Sequence, residues 1–194
     1  MSLRRALVEA LRDLKDLEIR HAVIGGLAVS ARVEPRMTRD VDIAVAVADD
    51  EAAEGVVHKL LGRGYVIAKV LEQSAAGRLA TTRLLPPDLA KSGVVVDLLF
   101  ASSGIEGEVV HSAEPLRILA DAIAPVATVG HLIALKLLSE APRRPQDAAD
   151  LERLVAAARP EDLAQARVAV NLIVRRGGFR RGRDLLSAWT ARSG

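Results

Sequence analysis

Residues 21–45, HAVIGGLAVSARVEPRMTRDVDIAV, decide the fold. HAVI (21–24) reads as a short buried strand that breaks at the pair Gly25-Gly26. LAVSARV (27–33) reads as a helix, which Pro35 ends. RDVDIAVAV (39–47) then alternates apolar and polar residues with the period of a second strand. Strand, glycine turn, helix and strand in one stretch make an α/β unit.

That second strand carries two aspartates, Asp40 and Asp42. Side chains at i and i+2 of a strand project from the same face. Two carboxylates that close oppose each other's ionisation unless a cation stands between them. A hard cation such as Mg²⁺ or Mn²⁺ suits carboxylate and phosphate oxygens. Taken alone, an Asp-x-Asp is as well explained by one residue ending a loop and the other facing water.

Asp97 shifts the balance. It is the one charged residue in GVVVDLLF (93–100), an apolar run that reads as a buried strand. Either an arginine holds it, or it faces an edge, or its strand lies beside that of Asp40. In the last case three carboxylates form a site for one or two divalent cations, suited to phosphoryl transfer. The glycine pair supplies the complement, because it lets backbone approach a ligand and exposes helix N-terminal amides to an anion. Ser30, one turn on, either adds a hydroxyl or faces solvent. The chain has neither GxxxxGK[ST] nor GxGxxG, so a P-loop or Rossmann site is not indicated.

Outward from this unit, Leu3, Leu7, Ala10, Leu11, Leu14 and Leu17 recur at helical spacing and predict a first helix over 3–17. Asp49-Asp50 can cap a helix over 51–64. YVIAKVLEQ (65–73) and RLATTRLL (78–85) read as strands separated by a turn around Ala76-Gly77. Short extended pieces are expected around Val109–His111 and Leu116–Ile118. From Thr128 the pattern becomes helical, with segments at 128–140, 145–158, 160–176 and near Asp184–Ala191, punctuated by Pro142, Pro145 and Pro160. The expected organisation is an α/β core over 1–127, with a mixed sheet and flanking helices, and a helical part over 128–194 packed on it.

GG after a strand followed by RMTRDVDIAV resembles the nucleotidyltransferase superfamily that includes DNA polymerase β. The pattern GG…RxTxD[IL]D is similar to that of AbiEii-type nucleotidyltransferases, many of them toxins of toxin–antitoxin systems. Arg36, Thr38, Asp40 and Asp42 fit it, with Val41 where the pattern has Ile or Leu. HLIALKLLSEAPRRPQDAADLERL (131–154) resembles the K…(R)xxDxxDL segment of the same group through Lys136, Arg144, Asp147, Asp150 and Leu151. The resemblance covers 21–45 and 94–152 and little of the last forty residues.

The resemblance implies a mixed-sheet nucleotidyltransferase fold and transfer of a nucleoside monophosphate from an NTP to an acceptor hydroxyl, with release of pyrophosphate. It implies Asp40, Asp42 and Asp97 as metal ligands and catalytic groups, with Asp97 the candidate base. Gly25, Gly26, Ser30, Arg36, Thr38 and Lys136 would contact the nucleotide, and Asp147 and Asp150 would position it. The cofactor would be Mg²⁺ or Mn²⁺. The acceptor would be a tRNA 3′ end, a protein side chain or an aminoglycoside-type small molecule, and a toxin would imply a cognate antitoxin. The alternative is an inert binding or regulatory module on the same fold. From the residues alone, Lys136 in LIALKLL either snorkels to the surface or turns toward a phosphate. Asp147 and Asp150 equally suit the start of a helix and an ion pair with Arg153.

Composition narrows the setting. Half of the 194 residues are hydrophobic and only 2% aromatic, so the core must be aliphatic. The chain has no cysteine, which excludes disulfides and a thiol nucleophile. His21, His58, His111 and His131 lack metal-ligand spacing. Charges run through the first twenty residues, and no window is apolar enough to span a bilayer, so a cytoplasmic protein without a membrane partner is expected. The net charge is only +2, but RRGGFRRGRD (175–184) concentrates arginines around Phe179. That tail either grips an RNA backbone or joins two terminal helices.

Overall fold

The computed structural model describes residues 2–73, 77–88, 93–119, 122–177 and 184–193. Helix α1 (Ser2–Asp16) presents Leu7, Ala10 and Leu14 to the core, as their spacing requires. Strand β1 (His21–Val23) leads into α2 (Gly25–Arg32), and β2 (Val41–Val45) follows. The glycine pair is thus the first turn of α2 rather than a turn ahead of it. Asp40 stands immediately before β2, and Asp42 lies within it.

Helix α3 (Asp50–Leu61) is capped by Asp49, whose Oδ1 accepts from the Ala52 amide at 2.9 Å. Such a cap contributes about 1 kcal/mol. Strands β3 (Val66–Gln73) and β4 (Arg78–Leu85) form a hairpin, and β5 (Val96–Leu99) pairs with β4. The extended piece expected around Val109–His111 is instead helix α4 (Glu106–His111). The reason is local: Glu106 opens the helix, and its Oε1 accepts from the Ser103 amide at 2.7 Å and from the Ser102 and Ser103 hydroxyls at 2.8 and 2.9 Å, which fixes the turn ahead of it. Strands β6 (Glu114–Leu119) and β7 (Ala122–Val126) make a second hairpin.

The seven strands form one mixed sheet in the order β3-β4-β5-β2-β1-β7-β6. Strand β2 lies between β5, to which it is parallel, and β1, to which it is antiparallel. Val41, Ile43, Ala44 and Val45 of β2 are fully buried, and α1, α2 and α4 all pack against this strand. The core is built from Leu, Val, Ile and Ala, as an aromatic-poor composition demands.

Four further helices follow among the described residues: α5 (Val129–Ser139), α6 (Pro145–Ala157), α7 (Pro160–Arg175) and α8 (Leu185–Ser193). Helix α5 is buried on nearly every side and packs against α6, α7 and α8 as well as α2. Phe179, Arg180 and Arg181 of the arginine tail lie outside the described residues. Arg176 is anchored, donating to both Glu108 oxygens at 2.9 and 2.7 Å and to the Gly104 carbonyl at 2.6 Å. Among the described residues no helix is long and apolar enough to cross a membrane.

Candidate active site

The parallel pairing of β2 with β5 sets Asp42 directly beside Asp97. Residues opposite each other in neighbouring strands share a face, so both carboxylates project from the same side of the sheet. On the other flank of β5, antiparallel pairing places Arg83 of β4 opposite Asp97. Arg83 Nε and Nη2 donate to the two Asp97 oxygens at 2.8 and 2.7 Å, a fork-to-fork ion pair. Arg83, Asp97 and Asp42 therefore form one row across three strands, with Asp40 at the head of β2 beyond it.

Asp42 is the electrostatically strained member of the row. Burial, then the neighbouring charge of Asp97, push its carboxyl up to about 6, with Asp40 adding to the effect. Lys136 and Arg83 oppose the rise without cancelling it. An excess of negative charge in a confined place is the condition under which a cation binds.

The glycine pair lies against this carboxylate. Gly25 has φ +60°, and a β-carbon there would fall 2.0 Å from Asp42 Oδ2 and 2.6 Å from its Cγ. Both the backbone angle and the contact exclude a side chain. At Gly26 a β-carbon would meet Arg36 Nη2 at 2.7 Å and Thr38 Oγ1 at 2.8 Å. Four motif residues, Gly25, Gly26, Arg36 and Thr38, thus meet at the N-terminus of α2. Ile24, which precedes the helix, makes no side-chain cap to the first amides. Arg36 Nε is buried with no hydrogen-bond partner among the described residues. Free amides at a helix start beside an unpaired guanidinium N–H suit an anion. Ser30 is used locally: its hydroxyl donates to the Gly26 carbonyl at 2.9 Å and accepts from the Arg36 amide at 3.2 Å, fixing the loop.

A second charged cluster lies behind Arg36. Lys136 on α5 neither reaches the surface nor stands free, for its ammonium contacts Asp147 at 2.7 Å and Asp150 at 2.8 Å. Arg36 Nη2 donates to Asp150 Oδ2 at 2.7 Å, and Gln146 donates to Oδ1 at 3.2 Å. Asp150 is wholly buried. Burial alone would raise its pKa, but hydrogen bonds from Lys136 and Arg36 hold it below the ordinary range. Arg153 comes no closer to Asp150 than 3.9 Å, so the intrahelical pair is secondary.

Asp40 and Asp42 offer hard oxygen donors without enough local positive charge, which fits a magnesium-type cation that completes its shell with phosphate and water. Asp97 is engaged by Arg83, and among the described residues no group of three or more acidic, cysteine or histidine side chains is placed to hold a metal ion. Arg83 escaped the sequence reading. Only the β4–β5 register places it on Asp97, and register across a hairpin of uncertain turn is not written in the sequence.

No protein-family model matches the chain, and no curated protein does. Among solved structures it is similar to an antigenic nucleotidyltransferase-like protein from Paracoccidioides brasiliensis, with 19% identity and a TM-score of 0.52 over 98% of this chain and 93% of that one. It is also similar to the antibiotic-resistance factor ANT(2'')-Ia, with 13% identity and a TM-score of 0.57 over 88% of this chain and 90% of that one. The architecture is that of the nucleotidyltransferase fold.

Proposed function

We propose that this chain is a divalent-cation-dependent nucleotidyltransferase, moving a nucleoside monophosphate from an NTP to an acceptor hydroxyl. The observation that carries this reading is the contact of Asp42 with Gly25: a carboxyl raised to about 6 by burial and by Asp97 lies against the start of α2, whose first amides have no side-chain cap. A magnesium triphosphate supplies a cation to the first and an anion to the second. Asp40 and Asp42 would hold the cation, whose role when bound is to polarise the phosphate and neutralise the charge that develops on it.

The protein's own groups divide the remaining work. The first amides of α2, Thr38 and the unpaired Arg36 N–H surround the phosphates. Lys136, Asp147 and Asp150 position Arg36 from behind, tying α5 and α6 to the glycine helix. The acceptor oxygen forms a bond to the α-phosphorus as the bond from that phosphorus to the bridging oxygen breaks, and pyrophosphate leaves with the electron pair. Each Asp97 oxygen keeps a lone pair outside the Arg83 fork to receive the hydroxyl proton.

A macromolecular acceptor, a tRNA 3′ end or a protein side chain, with an antitoxin as partner, is the reading that the likeness of GG…RMTRDVD to the AbiEii-type pattern favours; Arg36 and Thr38 of that pattern pack on Gly26. The likeness to an antibiotic-resistance factor makes a small-molecule acceptor the second reading.

The test is transfer of label from each α-labelled NTP, with Mg²⁺, to total tRNA, a protein lysate or an aminoglycoside panel. Asp42→Asn should slow it ~10³-fold, equivalent to ~4 kcal/mol of lost transition-state stabilisation, while remaining folded by circular dichroism. Full-rate transfer by the folded variant would remove Asp42 from the chemistry. Absence of transfer and of pyrophosphate release across all four NTPs would favour the inert binding module.

A further inference from the structure

The carboxylates of the row differ in what they touch. Asp42 and Asp40 have no guanidinium or ammonium within hydrogen-bond reach among the contacts of the described residues. Asp97 has Arg83 on both oxygens, at 2.8 and 2.7 Å. This pair is built into the sheet, since adjacent register positions of β4 and β5 carry the two residues. The Asp97 side chain is nearly buried, at 12% exposure, whereas Arg83 at 42% closes the row on its solvent side. Arg83 also feels Asp40 and Asp42 as well as its direct partner, so its charge serves the whole row.

From this geometry we infer that Arg83 takes the place of a second cation: the site binds a single divalent ion, on Asp40 and Asp42, and the Arg83 guanidinium neutralises Asp97. The inference rests on the nucleotidyltransferase reading above and fixes its metal count. A fork-to-fork guanidinium occupies one lone pair on each Asp97 oxygen and repels any divalent ion that approaches the rest. Magnesium needs only one or two protein carboxylates when phosphates supply other ligands, so Asp97 is dispensable as a ligand. Arg83 is thereby a positioning residue, acting through Asp97 and through its charge.

The count can be read without turnover, by electron paramagnetic resonance titration of Mn²⁺ with an α,β-methylene NTP that cannot be transferred. Wild type should bind one Mn²⁺ per chain. Arg83→Ala should bind two, and Arg83→Lys, which restores the charge, should return to one. Two ions on wild type, or one on Arg83→Ala, would overturn the inference. Should Arg83→Ala fail to fold, the double variant Arg83→Gln/Asp97→Asn, which removes both charges together, decides: it keeps the wild-type count and affinity if Asp97 is no ligand, and loses affinity tenfold or more if it is. The underlying reading fails differently. If wild type binds no Mn²⁺, or binds it equally well as Asp42→Asn, the metal site itself is misassigned and the Arg83 role falls with it.

Discussion

The molecule holds two clusters of aspartates a helix apart, and they are electrostatic opposites. On the sheet, Asp40, Asp42 and Asp97 face one contacting cation, Arg83. Between α5 and α6, Asp147 and Asp150 hold two at hydrogen-bond distance, Lys136 and Arg36, with Arg144 and Arg153 farther off at 3.8 and 3.9 Å. The first cluster is left with negative charge and drives the Asp42 carboxyl up to about 6, while the second is balanced and holds Asp150 below the ordinary range. Both are substantially buried, so burial does not separate them. A balanced cluster can support structure as it stands, whereas a deficit of positive charge is a cost that a bound cation would relieve.

The sharpest way to break this contrast is Asp150→Ala. It strands Lys136 and Arg36 without their shared carboxylate, and loss of one partner from a buried ion pair costs about 3–5 kcal/mol. Urea denaturation at pH 7.5 should show that loss. A variant of normal stability that has nonetheless lost nucleotide binding would make the α5–α6 cluster chemical rather than structural.

The sheet cluster should behave in the opposite sense. Asp42 holds its proton in the native state to about pH 6 but releases it near 3.8 when unfolded. Between those values the native state binds more protons, so its contribution to stability falls as pH rises and is fully lost above the window. The loss is on the order of 3 kcal/mol. Asp42→Asn should escape it and stand above wild type at pH 7.5 in chelator, and Mg²⁺ should narrow the gap by binding only wild type. Parallel stability curves for the two proteins from pH 3.5 to 7.5 would remove the strain assigned to Asp42.

A smaller effect tests the link between the glycine helix and the carboxylates. Gly25→Ala places a non-glycine residue at φ +60°, at a cost of roughly 1–2 kcal/mol, and its β-carbon must displace the Asp42 carboxylate. Mn²⁺ binding should fall with it. Gly26→Ala should instead disturb Arg36 and Thr38 and leave Mn²⁺ binding without nucleotide near wild type. Equal metal affinity in Gly25→Ala and wild type would show that Asp42 adapts without consequence.

These tests rest on features that were unequally legible in the sequence. The strands at 66–73 and 78–85 follow from β-branched and apolar runs on either side of a glycine turn, and α1 follows from leucines at helical spacing. The adjacency of Asp97 to the Asp40–Asp42 strand was one of three open alternatives, because pairing between distant strands leaves no periodic mark. The helix over Val109–His111 is harder to read, because it starts from a turn fixed by Glu106 and the serines before it rather than from a side-chain cap or a long apolar period. The sequence leaves Lys136 either snorkelling or turned toward a phosphate, since a lone lysine in an apolar helix does not disclose that a later helix brings it two aspartates. An arginine partner for Asp97 is among the alternatives that the sequence leaves open, but nothing in it singles out Arg83.

The parallel pairing of β2 with β5 also has a consequence for the order in which the chain assembles. Asp42 and Asp97 are direct neighbours in the sheet, yet the whole β3–β4 hairpin lies between them in sequence. Contacts of such long range form slowly, because the entropy of closing the intervening loop is lost before any pairing rewards it. The hairpin and the β1–α2–β2 unit can each form from nearby residues. The carboxylates are therefore kept apart while the early pieces organise, and their mutual repulsion enters only when β5 docks, by which time Arg83 on β4 is in place to meet Asp97.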